Sequence, residues 1–378
     1  MKTRHVTLQS TGPGADLSLC HHTFGPSWGR KALYIQAALH AGEVPGLLVI
    51  QHLLSALTRA EQDGELLHQV TVSRWANPVG MNQHVMGHLS GRFDLGGTGN
   101  FDRNFFDLRP TIAASFDVTR PRAASAAEIK AWLKQATLDR QAAANPVEAL
   151  KLQLLAVGFE HDAVLDLHCD KIAVMHIYSS WEFEDRARAL ARCMEAHALI
   201  LEDEAGGGTF DQAFRDAWRE IKRLELCSDA STGFAAVVEL RGQRDVSDDL
   251  AAADAAGLID FLRREGIMAA PVAGRAAAPG RESQIFALNA VSHVATPAAG
   301  VISWKRQCGA SVERGETIAE VVRCDDIVPA QRVAVVAPTA GVLIARSHIH
   351  LLTPGQRIAM IAGKAALPER VAGKLLHD

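Results

Sequence analysis

The sequence is poor in aromatic residues, which account for 6% of its 378 positions. Proteins that bind single-stranded nucleic acids stack the bases on aromatic side chains, so this scarcity argues against such a function. Positive charge is not in excess either, because the formal net charge is -4, whereas proteins that bind duplexes usually carry a basic face. We therefore expect no nucleic-acid partner.

Long hydrophobic runs are also missing from the sequence. No stretch of about 18 uncharged apolar residues occurs, which excludes a transmembrane helix. Residues 1–10 (MKTRHVTLQS) lack the apolar core of a secretory signal. The six cysteines are scattered and form no CxxC pair, so neither a zinc ribbon nor a dense disulfide framework is indicated. These absences predict a cytoplasmic protein with reduced thiols and no membrane partner.

Residues 1–265 alternate short apolar runs with stretches of helical pattern. The runs 32–39, 69–76, 163–167 and 235–240 have the length and composition of strands. A helix is predicted from residue 45 to residue 57, with its proline in the first turn. Residues 123–160 have a helical composition, and the glycine-rich residues 86–100 are typical of a long surface loop. Strands that alternate with helices predict an α/β domain with helices on both faces of the sheet.

The last part of the sequence contains an internal repeat with a period of about 40 residues. The segment 296–301 (TPAAGV) recurs as 337–342 (APTAGV), and 314–319 (RGETIA) recurs as 354–359 (PGQRIA). Paired glycine turns and short β-rich runs predict a small barrel or sandwich of two similar halves. We therefore expect one domain over residues 1–265, a connecting segment over 266–290 and a β-rich domain over 291–378.

Two strand ends carry residues that could bind a metal ion. The run 32–39 ends just before His40, and Glu43 follows three residues later, a spacing that places both side chains on one side of a turn entering a helix. His168 follows the run 163–167 directly. Ligands gather at the carboxyl ends of strands in open α/β sheets, and two histidines with one carboxylate are a ligand set of catalytic zinc. The alternative for His40 and Glu43 is a capped helix start with a solvated histidine.

Further residues could complete a hydrolytic site. Glu239 lies at the end of an apolar strand, where a carboxylate is rare unless it is paired or functional, and it is the best candidate for a general base. The alternative is an outward-facing glutamate on an edge strand. Arg103, in the segment 100–105 (NFDRNF), presents a planar fork that matches a carboxylate, or it forms a structural ion pair with a neighbouring aspartate. Asp166 and Asp170 could orient a ligating histidine.

Taken in order, these motifs resemble the succinylglutamate desuccinylase/aspartoacylase family, which is related to zinc carboxypeptidases. The resemblance spans about half of the chain and rests on His40-x-x-Glu43, Asn77-Pro78, Asp102-Arg103-x-Phe105, Asp166-Leu167-His168 and Val238-Glu239-Leu240. It implies a carboxypeptidase-like mixed sheet flanked by helices, followed by a small all-β domain. That C-terminal domain is similar to a lipoyl half-barrel, although no lysine occupies a candidate hairpin tip.

The resemblance also implies roles for individual residues. It implies one zinc ion per chain held by His40, Glu43 and His168, with Glu239 as general base and acid. Arg103 is the implied contact to a substrate carboxylate or to the transition state. Relatives usually have Asn-Arg where this chain has Asp-Arg at 102–103, which leaves a binding role for position 102 open. Further substrate contacts are predicted at Asn77, Arg92 and Asn104.

The sequence therefore predicts a zinc-dependent hydrolase that cleaves the amide bond of an N-acyl amino acid or a similar small carboxylated amide. Such an enzyme is an amidohydrolase acting on linear amides, and its partner is the small substrate, with a homo-oligomer left open. A zinc carboxypeptidase acting on peptides is the nearest alternative, because it shares the metal site. A non-catalytic metal-binding module is the alternative from another class.

Overall fold

A computed structural model of the chain describes residues 1–116, 124–227, 229, 231–270, 282–324 and 331–375. The chain divides into two compact units. The first comprises Met1–His168, Gly207–Val238 and Val246–Pro279, and the second comprises Cys169–Gly206, Glu239–Asp245 and Gly280–Asp378. The domain boundaries at residues 265 and 290 stay a prediction, and residues 271–281 of the predicted connecting segment lie outside the described residues.

Helices and strands alternate along the chain as far as residue 264. The α-helices are α1 Pro45–Gln62, α2 Pro78–Met81, α3 Arg109–Ser115, α4 Ala126–Leu138, α5 Pro146–Gly158, α6 Glu184–Cys193, α7 Phe210–Arg223 and α8 Asp248–Arg264. The strands of this stretch are β1 Lys2–Thr7, β2 Ser18–Phe24, β3 Ala32–Ala37, β4 Gln69–Ser73, β5 His84–Val85, β6 His88–Leu89, β7 Phe93–Asp94, β8 Gly99–Asn100, β9 Ala163–Asp170, β10 Ile172–Ala173, β11 His176–Ser179, β12 Ala198–Leu201 and β13 Phe234–Gly242. The described residues beyond it form the strands β14 Gln284–Ala287, β15 Val291–Ala295, β16 Gly300–Trp304, β17 Ser311–Val312, β18 Thr317–Val322, β19 Arg332–Val336, β20 Gly341–Arg346, β21 Leu351–Leu352 and β22 Arg357–Gly363.

The first unit contains a mixed sheet with the strand order β1-β2-β4-β3-β9. β3 pairs in parallel with both β4 and β9, whereas the β1–β2 and β2–β4 pairs are antiparallel. The side chains of β3 from Leu33 to Ala37 are all buried, as expected for a central parallel strand covered on both faces. The strands predicted from residues 32, 69 and 163 are therefore present, with their C-terminal ends shifted. The predicted mixed α/β class is confirmed.

Helix α1 follows β3 and packs an apolar face inside the first unit. It begins at Pro45, where the missing N–H has no intrahelical partner to lose, and it extends beyond the predicted end to Gln62. Val49, Leu53 and Leu57 recur at four-residue spacing and are buried, and the helix packs against α8. Burial of each such side chain contributes about 1.5–3 kcal/mol, so α1 is held firmly at the end of β3.

The stretch 123–160 is helical as predicted and forms two helices, with residue 123 lying outside the described part of the chain. Ser125 begins α4 with a capping box that includes Glu128, and Asn145 begins α5 with a second capping box that includes Glu148. In each box the first side chain accepts a backbone N–H of the first turn, and the glutamate accepts the N–H of the capping residue. A second cap inside a helical composition therefore marks where one helix ends and the next begins.

The prediction of a long loop over residues 86–100 is wrong in part, because this segment contributes to two short hairpins. β5 pairs with β6, and β7 pairs with β8, both in antiparallel register. Gly87 and Gly97 lie in the turns of these hairpins and adopt φ values of 81 and 93, which favour glycine. Gln83 links the hairpins, since its Nε2 donates to the carbonyls of Ser90 and Phe93 at 2.8 Å each. The glycines that suggested a loop serve tight turns.

The internal repeat of the second unit corresponds to two antiparallel strand pairs. The first half contributes β16 and β18 to a sheet of order β19-β18-β16-β21, and the second contributes β20 and β22 to a sheet of order β10-β20-β22-β15. Gly300 and Gly341 hold equivalent positions, where an added Cβ would lie 2.2 Å from the Val322 carbonyl oxygen and 2.1 Å from that of Ala362. Only glycine allows this approach. The predicted C-terminal all-β region is confirmed as antiparallel sheets, and its extent as a domain stays a prediction.

The second unit also contains the parallel strands β11, β12 and β14, which neighbour one another in that order. The whole of β12 is buried, consistent with a strand that lies between two parallel neighbours. Helix α6 packs against β11 and β12. Part of the second unit is thus α/β in character and precedes the repeat in the sequence.

Candidate metal centre

His40 and Glu43 lie in the turn between β3 and α1. Ala38 adopts a φ of 58, which turns the chain out of the strand, and the Glu43 N–H donates to the His40 carbonyl at 2.9 Å. Gly46 lies so close to the sheet that an added Cβ would meet the Ala37 Cβ at 3.0 Å. The turn therefore sits tightly against the sheet and carries both side chains on one side, as their spacing predicts.

Glu43 lies between the two predicted histidine ligands. Its Oε1 is 3.0 Å from His40 Nδ1, and its Oε2 is 2.8 Å from His168 Nδ1. Potential ligand atoms of the three residues lie within 4.8 Å of one another, and all three residues are buried. Two imidazole nitrogens and one carboxylate fit a divalent metal ion such as zinc. The structure thus brings together the three residues that the sequence predicts as ligands.

The far nitrogen of each imidazole faces an oxygen atom. His40 Nε2 is 2.8 Å from Asn100 Oδ1. His168 Nε2 is 3.1 Å from Asp166 Oδ2, a distance without the angle of a hydrogen bond. Each Nδ1 faces Glu43, so with a cation bound in this group Nδ1 would supply its lone pair and Nε2 would carry the proton towards the outer oxygen, which is the usual arrangement of metal-binding histidines. Sequence reasoning anticipates Asp166 in this role and misses Asn100.

The charges around the cluster stabilise positive charge at its centre. Burial alone would raise the pKa of Glu43, but the imidazoles of His40 and His168 hold that pKa well below its usual range. Burial alone would lower the pKa of His168, but the carboxylates of Asp166 and Glu43 raise it well above its usual range. A cation at this point, whether a proton or a metal ion, is therefore favoured by its surroundings.

Arg92 reaches the same carboxylate from the hairpin segment. Its Nη1 lies 3.2 Å from Glu43 Oε1 and 3.3 Å from His40 Nδ1. A donor facing His40 Nδ1 agrees with a lone pair on that nitrogen. The Arg92 side chain is 41% exposed, so it combines a contact to the candidate ligand Glu43 with access to solvent. Its role as a substrate contact stays a prediction.

Asp102 and Arg103 contact each other, and Asp102 also accepts a backbone N–H at the start of α7. Arg103 Nη1 donates to the Asp102 carbonyl at 2.6 Å and lies 3.5 Å from Asp102 Oδ2. Among the described residues, Arg103 Nε has no hydrogen-bond partner. Asp102 Oδ1 accepts the Phe210 N–H at 3.0 Å, at the first residue of α7. Asp102 therefore fastens a helix N-terminus, which favours an acceptor there, and Arg103 keeps a donor available.

Lys151 fixes the backbone that carries these residues, and sequence reasoning misses it. From α5 its Nζ donates to the carbonyls of Asn100 and Arg103 at 3.0 and 2.6 Å. Asn104, which follows Arg103, has a left-handed φ of 56. Its N–H donates to the Gly207 carbonyl at 3.0 Å. Asn104 and Lys151 both line a cavity of about 550 Å³. The predicted substrate contact at Asn104 stays a prediction.

Asn77 is buried, and its carboxamide is engaged with the backbone. Its Nδ2 donates to the Leu39 carbonyl at 2.9 Å, and its Oδ1 accepts the Gly80 N–H at 2.7 Å, which caps α2. The first of these bonds supports the residue that immediately precedes His40. Asn77 thus supports the turn that carries His40 and Glu43. Its contact to a substrate stays a prediction.

Glu239 lies in β13 and belongs to the second unit. Together with Asp170 and His176 it forms a second group whose polar atoms lie within 4.8 Å of one another. His176 is buried, and its Nδ1 is 2.8 Å from the Val174 carbonyl, to which it donates. His176 Nε2 therefore presents a lone pair, 3.8 Å from Asp170 Oδ2. Sequence reasoning misses His176, and the role of Glu239 as general base stays a prediction.

Comparisons with known proteins bear on the site as a whole. A family model described as the succinylglutamate desuccinylase/aspartoacylase catalytic domain matches residues 30–264. Solved structures of proteins from this family are similar: those from Shewanella amazonensis SB2B and Shewanella frigidimarina NCIMB 400 share 22% and 21% identity, with TM-scores of 0.79 and 0.81. The two alignments cover 96% of this chain, and 98% and 97% of the other chains.

A third similar structure is the product-bound ectoine utilization protein EutE (DoeB) from Ruegeria pomeroyi. It shares 15% identity, covers 96% of this chain and 95% of its own, and has a TM-score of 0.66. At these identities the solved structures show a shared fold. No curated protein matches the chain.

The family match extends from the start of β3 to the end of α8 and includes His40, Glu43 and His168. In the described part of the chain, no helix is both long enough and apolar enough to cross a membrane. Because the match covers more than half of the sequence, the chain belongs to the succinylglutamate desuccinylase/aspartoacylase family, whose members are deacylases.

Proposed function

We propose that this chain is a zinc-dependent deacylase that hydrolyses the amide bond of an N-acyl amino acid or a similar small carboxylated amide. The observation that carries the proposal is the buried group of His40, Glu43 and His168, in which both Nδ1 atoms face one carboxylate. These residues would hold one Zn²⁺ per chain. When bound there, zinc supplies a Lewis acid for the acyl carbonyl and makes a water molecule reactive near neutral pH.

Proton transfer is assigned to Glu239. Its carboxylate accepts a proton from the attacking water and then donates it to the nitrogen of the leaving amine. One carboxylate serves both steps, because the proton gained in the first is the proton needed in the second. The family motif in the sequence and the nearby polar groups of Asp170 and His176 support this assignment.

Substrate binding is assigned to two arginines of the first unit. Arg103 binds the substrate carboxylate, because its side chain is only 15% exposed and its Nε remains available among the described residues. Arg92 contacts the acyl oxygen, because its exposed guanidinium already reaches Glu43. A buried bidentate arginine favours substrates with a free carboxylate. A cytoplasmic location and a homo-oligomer stay predictions.

The proposal is tested by assaying zinc-loaded protein with N-acyl amino acids and, separately, with short peptides. We expect hydrolysis of N-acyl amino acids. Glu239→Gln should lower kcat by about 10²–10⁴-fold without changing the amount of zinc bound. Glu184→Gln is the matched control, since this half-buried glutamate of the second unit pairs with Arg188 in the same helix. Hydrolysis of peptides alone would indicate a carboxypeptidase.

The ligand set is tested separately with His168→Ala, which should lose both zinc and activity. His52→Ala is the control, because His52 lies on α1 and pairs with Asp248 through a partly exposed contact. Stoichiometric zinc in His168→Ala would refute the ligand set. Near-normal turnover in Glu239→Gln would refute the assignment of the base while leaving the metal centre intact.

A further inference from the structure

A ladder of buried polar groups continues from the metal centre into the sheet of the first unit. Tyr34 and Gln36 lie on β3 with one residue between them, and Asp166 and His168 have the same spacing on β9. Gln36 is the direct cross-strand partner of Asp166 in the parallel register. Since residues two apart on a strand face the same side of a sheet, all four side chains belong to one face.

The contacts along this face are short: two are hydrogen bonds, and the last is a close approach of a carboxylate to an imidazole. Tyr34 Oη donates to Gln36 Oε1 at 3.1 Å, and Gln36 Nε2 donates to Asp166 Oδ2 at 3.0 Å. Asp166 Oδ2 lies 3.1 Å from His168 Nε2. Tyr34 and Gln36 are 0% exposed, and Asp166 is 1% exposed. Polar groups buried to this degree are costly unless their hydrogen bonds are satisfied, so their presence here requires an explanation.

The direction of each hydrogen bond is determined by the one before it. A tyrosine hydroxyl that donates to the Gln36 carbonyl oxygen leaves the amide nitrogen of Gln36 to face Asp166. That nitrogen is a donor, so Asp166 Oδ2 is held as an acceptor. An acceptor beside His168 Nε2 favours the form in which Nε2 carries the proton and Nδ1, the atom that faces Glu43, supplies its lone pair to a bound cation. The ladder thus specifies one tautomer and one ring orientation.

Tyr34 is well suited to begin the ladder, because aromatic packing fixes its ring. The ring lies 5.5 Å from that of His161 and 6.3 Å from that of Phe210, centroid to centroid. A fixed ring holds the hydroxyl in place without using the metal centre. The hydrogen bonds therefore point from Tyr34, in the core of the first unit, through Gln36 to Asp166, which lies beside His168.

We infer that Gln36 and Tyr34 are positioning residues that orient Asp166, and through it His168, for metal binding. The inference rests on the proposed function, because it takes His168 to be a zinc ligand. Neither residue belongs to the group of His40, Glu43 and His168. Removing a group that orients a ligand typically weakens metal affinity by about 10- to 100-fold.

The test measures the zinc dissociation constant by competition with a chromophoric chelator. Gln36→Leu should raise that constant by about 10- to 100-fold. Tyr34→Phe should raise it by less, because it removes the hydrogen bond to Gln36 and leaves the one from Gln36 to Asp166 in place. Activity should return at saturating zinc. Thr137→Val is the matched control, since it removes another buried hydroxyl of the first unit, which donates to the Leu133 carbonyl in α4. It should leave the zinc dissociation constant unchanged.

A double-mutant cycle separates positioning from a general structural role. If the ladder acts in series, Tyr34→Phe should have no further effect in a Gln36→Leu background, whereas independent sites would add. The absorption spectrum of the cobalt-substituted protein should also change in Gln36→Leu, because it reports the geometry of the ligands. Thr137→Val should leave that spectrum as in the unmodified chain.

Two results would overturn the inference. One is an unchanged zinc dissociation constant in both Gln36→Leu and Tyr34→Phe. The other is full additivity of the two changes with an unaltered cobalt spectrum. If Gln36→Leu fails to fold, Tyr34→Phe alone decides by the same measurements. If the unmodified protein binds no zinc, the proposed function fails. If it binds zinc and the variants have the same zinc dissociation constant, only the inference about Gln36 and Tyr34 fails.

Discussion

Replacing Lys151 with methionine should loosen the segment that carries Asn100 and Arg103 without opening a large cavity. The Lys151 ammonium is buried, and burial lowers its pKa. It donates to two backbone carbonyls, those of Asn100 and Arg103, at 3.0 and 2.6 Å. Methionine keeps a flexible apolar stem of similar length but has no donor. The change therefore removes two charge-assisted hydrogen bonds and little else.

The size of the effect follows from those two bonds. Each hydrogen bond to a charged group contributes about 1.5–3 kcal/mol. Part of that contribution is offset, because the variant no longer buries an ammonium. We therefore expect Lys151→Met to lower the free energy of unfolding by about 2–4 kcal/mol. The KM for a carboxylated substrate should rise as well, because Arg103 loses the support of its carbonyl.

Denaturant titration of metal-free protein measures the first effect, and steady-state kinetics with saturating zinc measures the second. Lys134→Met is the control, since Lys134 makes a partly exposed ion pair with Glu160 from the neighbouring helix. Such pairs contribute about 0–1 kcal/mol. The reasoning would be refuted if Lys151→Met and Lys134→Met had the same free energy of unfolding and the same KM.

Three further outcomes are expected. Burial lowers the pKa of His161 to about 4. The unfolded chain therefore binds a proton that the native state does not, and His161 should lower the free energy of unfolding by up to ~3 kcal/mol as the pH drops from about 6.5 to about 4. Denaturant titrations of His161→Gln should show a shallower fall, reduced by this contribution. Asp102→Ala removes the acceptor at the start of α7 and should cost about 1–2 kcal/mol in denaturant titrations, whereas Asp102→Asn should cost less. In the same titrations Gly341→Ala should lower the free energy of unfolding by about 1–3 kcal/mol, because the added Cβ meets the Ala362 carbonyl. Gly12→Ala is the control and should leave that free energy unchanged, because nothing lies within 4 Å of its added Cβ.

The three candidate metal ligands can be predicted from the sequence because a local pattern marks each of them. An apolar run of strand length ends before His40, and the three-residue spacing to Glu43 survives in the turn that the Glu43 N–H closes. His168 is marked in the same way by β9. The C-terminal repeat was equally readable, since Gly300 and Gly341 meet the same steric demand in both halves.

The groups that support the ligands were not accessible, because their contacts join distant parts of the chain. Asn100 lies 60 residues from His40, and Lys151 lies 51 residues from Asn100. Nothing in a local spacing predicts such pairs. The hairpins within residues 84–100 were missed for a related reason: their strands are two residues long and are linked by the side chain of Gln83 rather than by an apolar pattern.

The most direct test of the proposed metal-dependent deacylase is a zinc titration of chelator-treated protein, followed by the rate of hydrolysis of an N-acyl amino acid. The rate should rise in proportion to added zinc and level off at one zinc per chain, as expected for a single site formed by His40, Glu43 and His168. Hydrolysis that does not depend on zinc would contradict the account. So would a protein that binds one zinc per chain and hydrolyses no N-acyl amino acid.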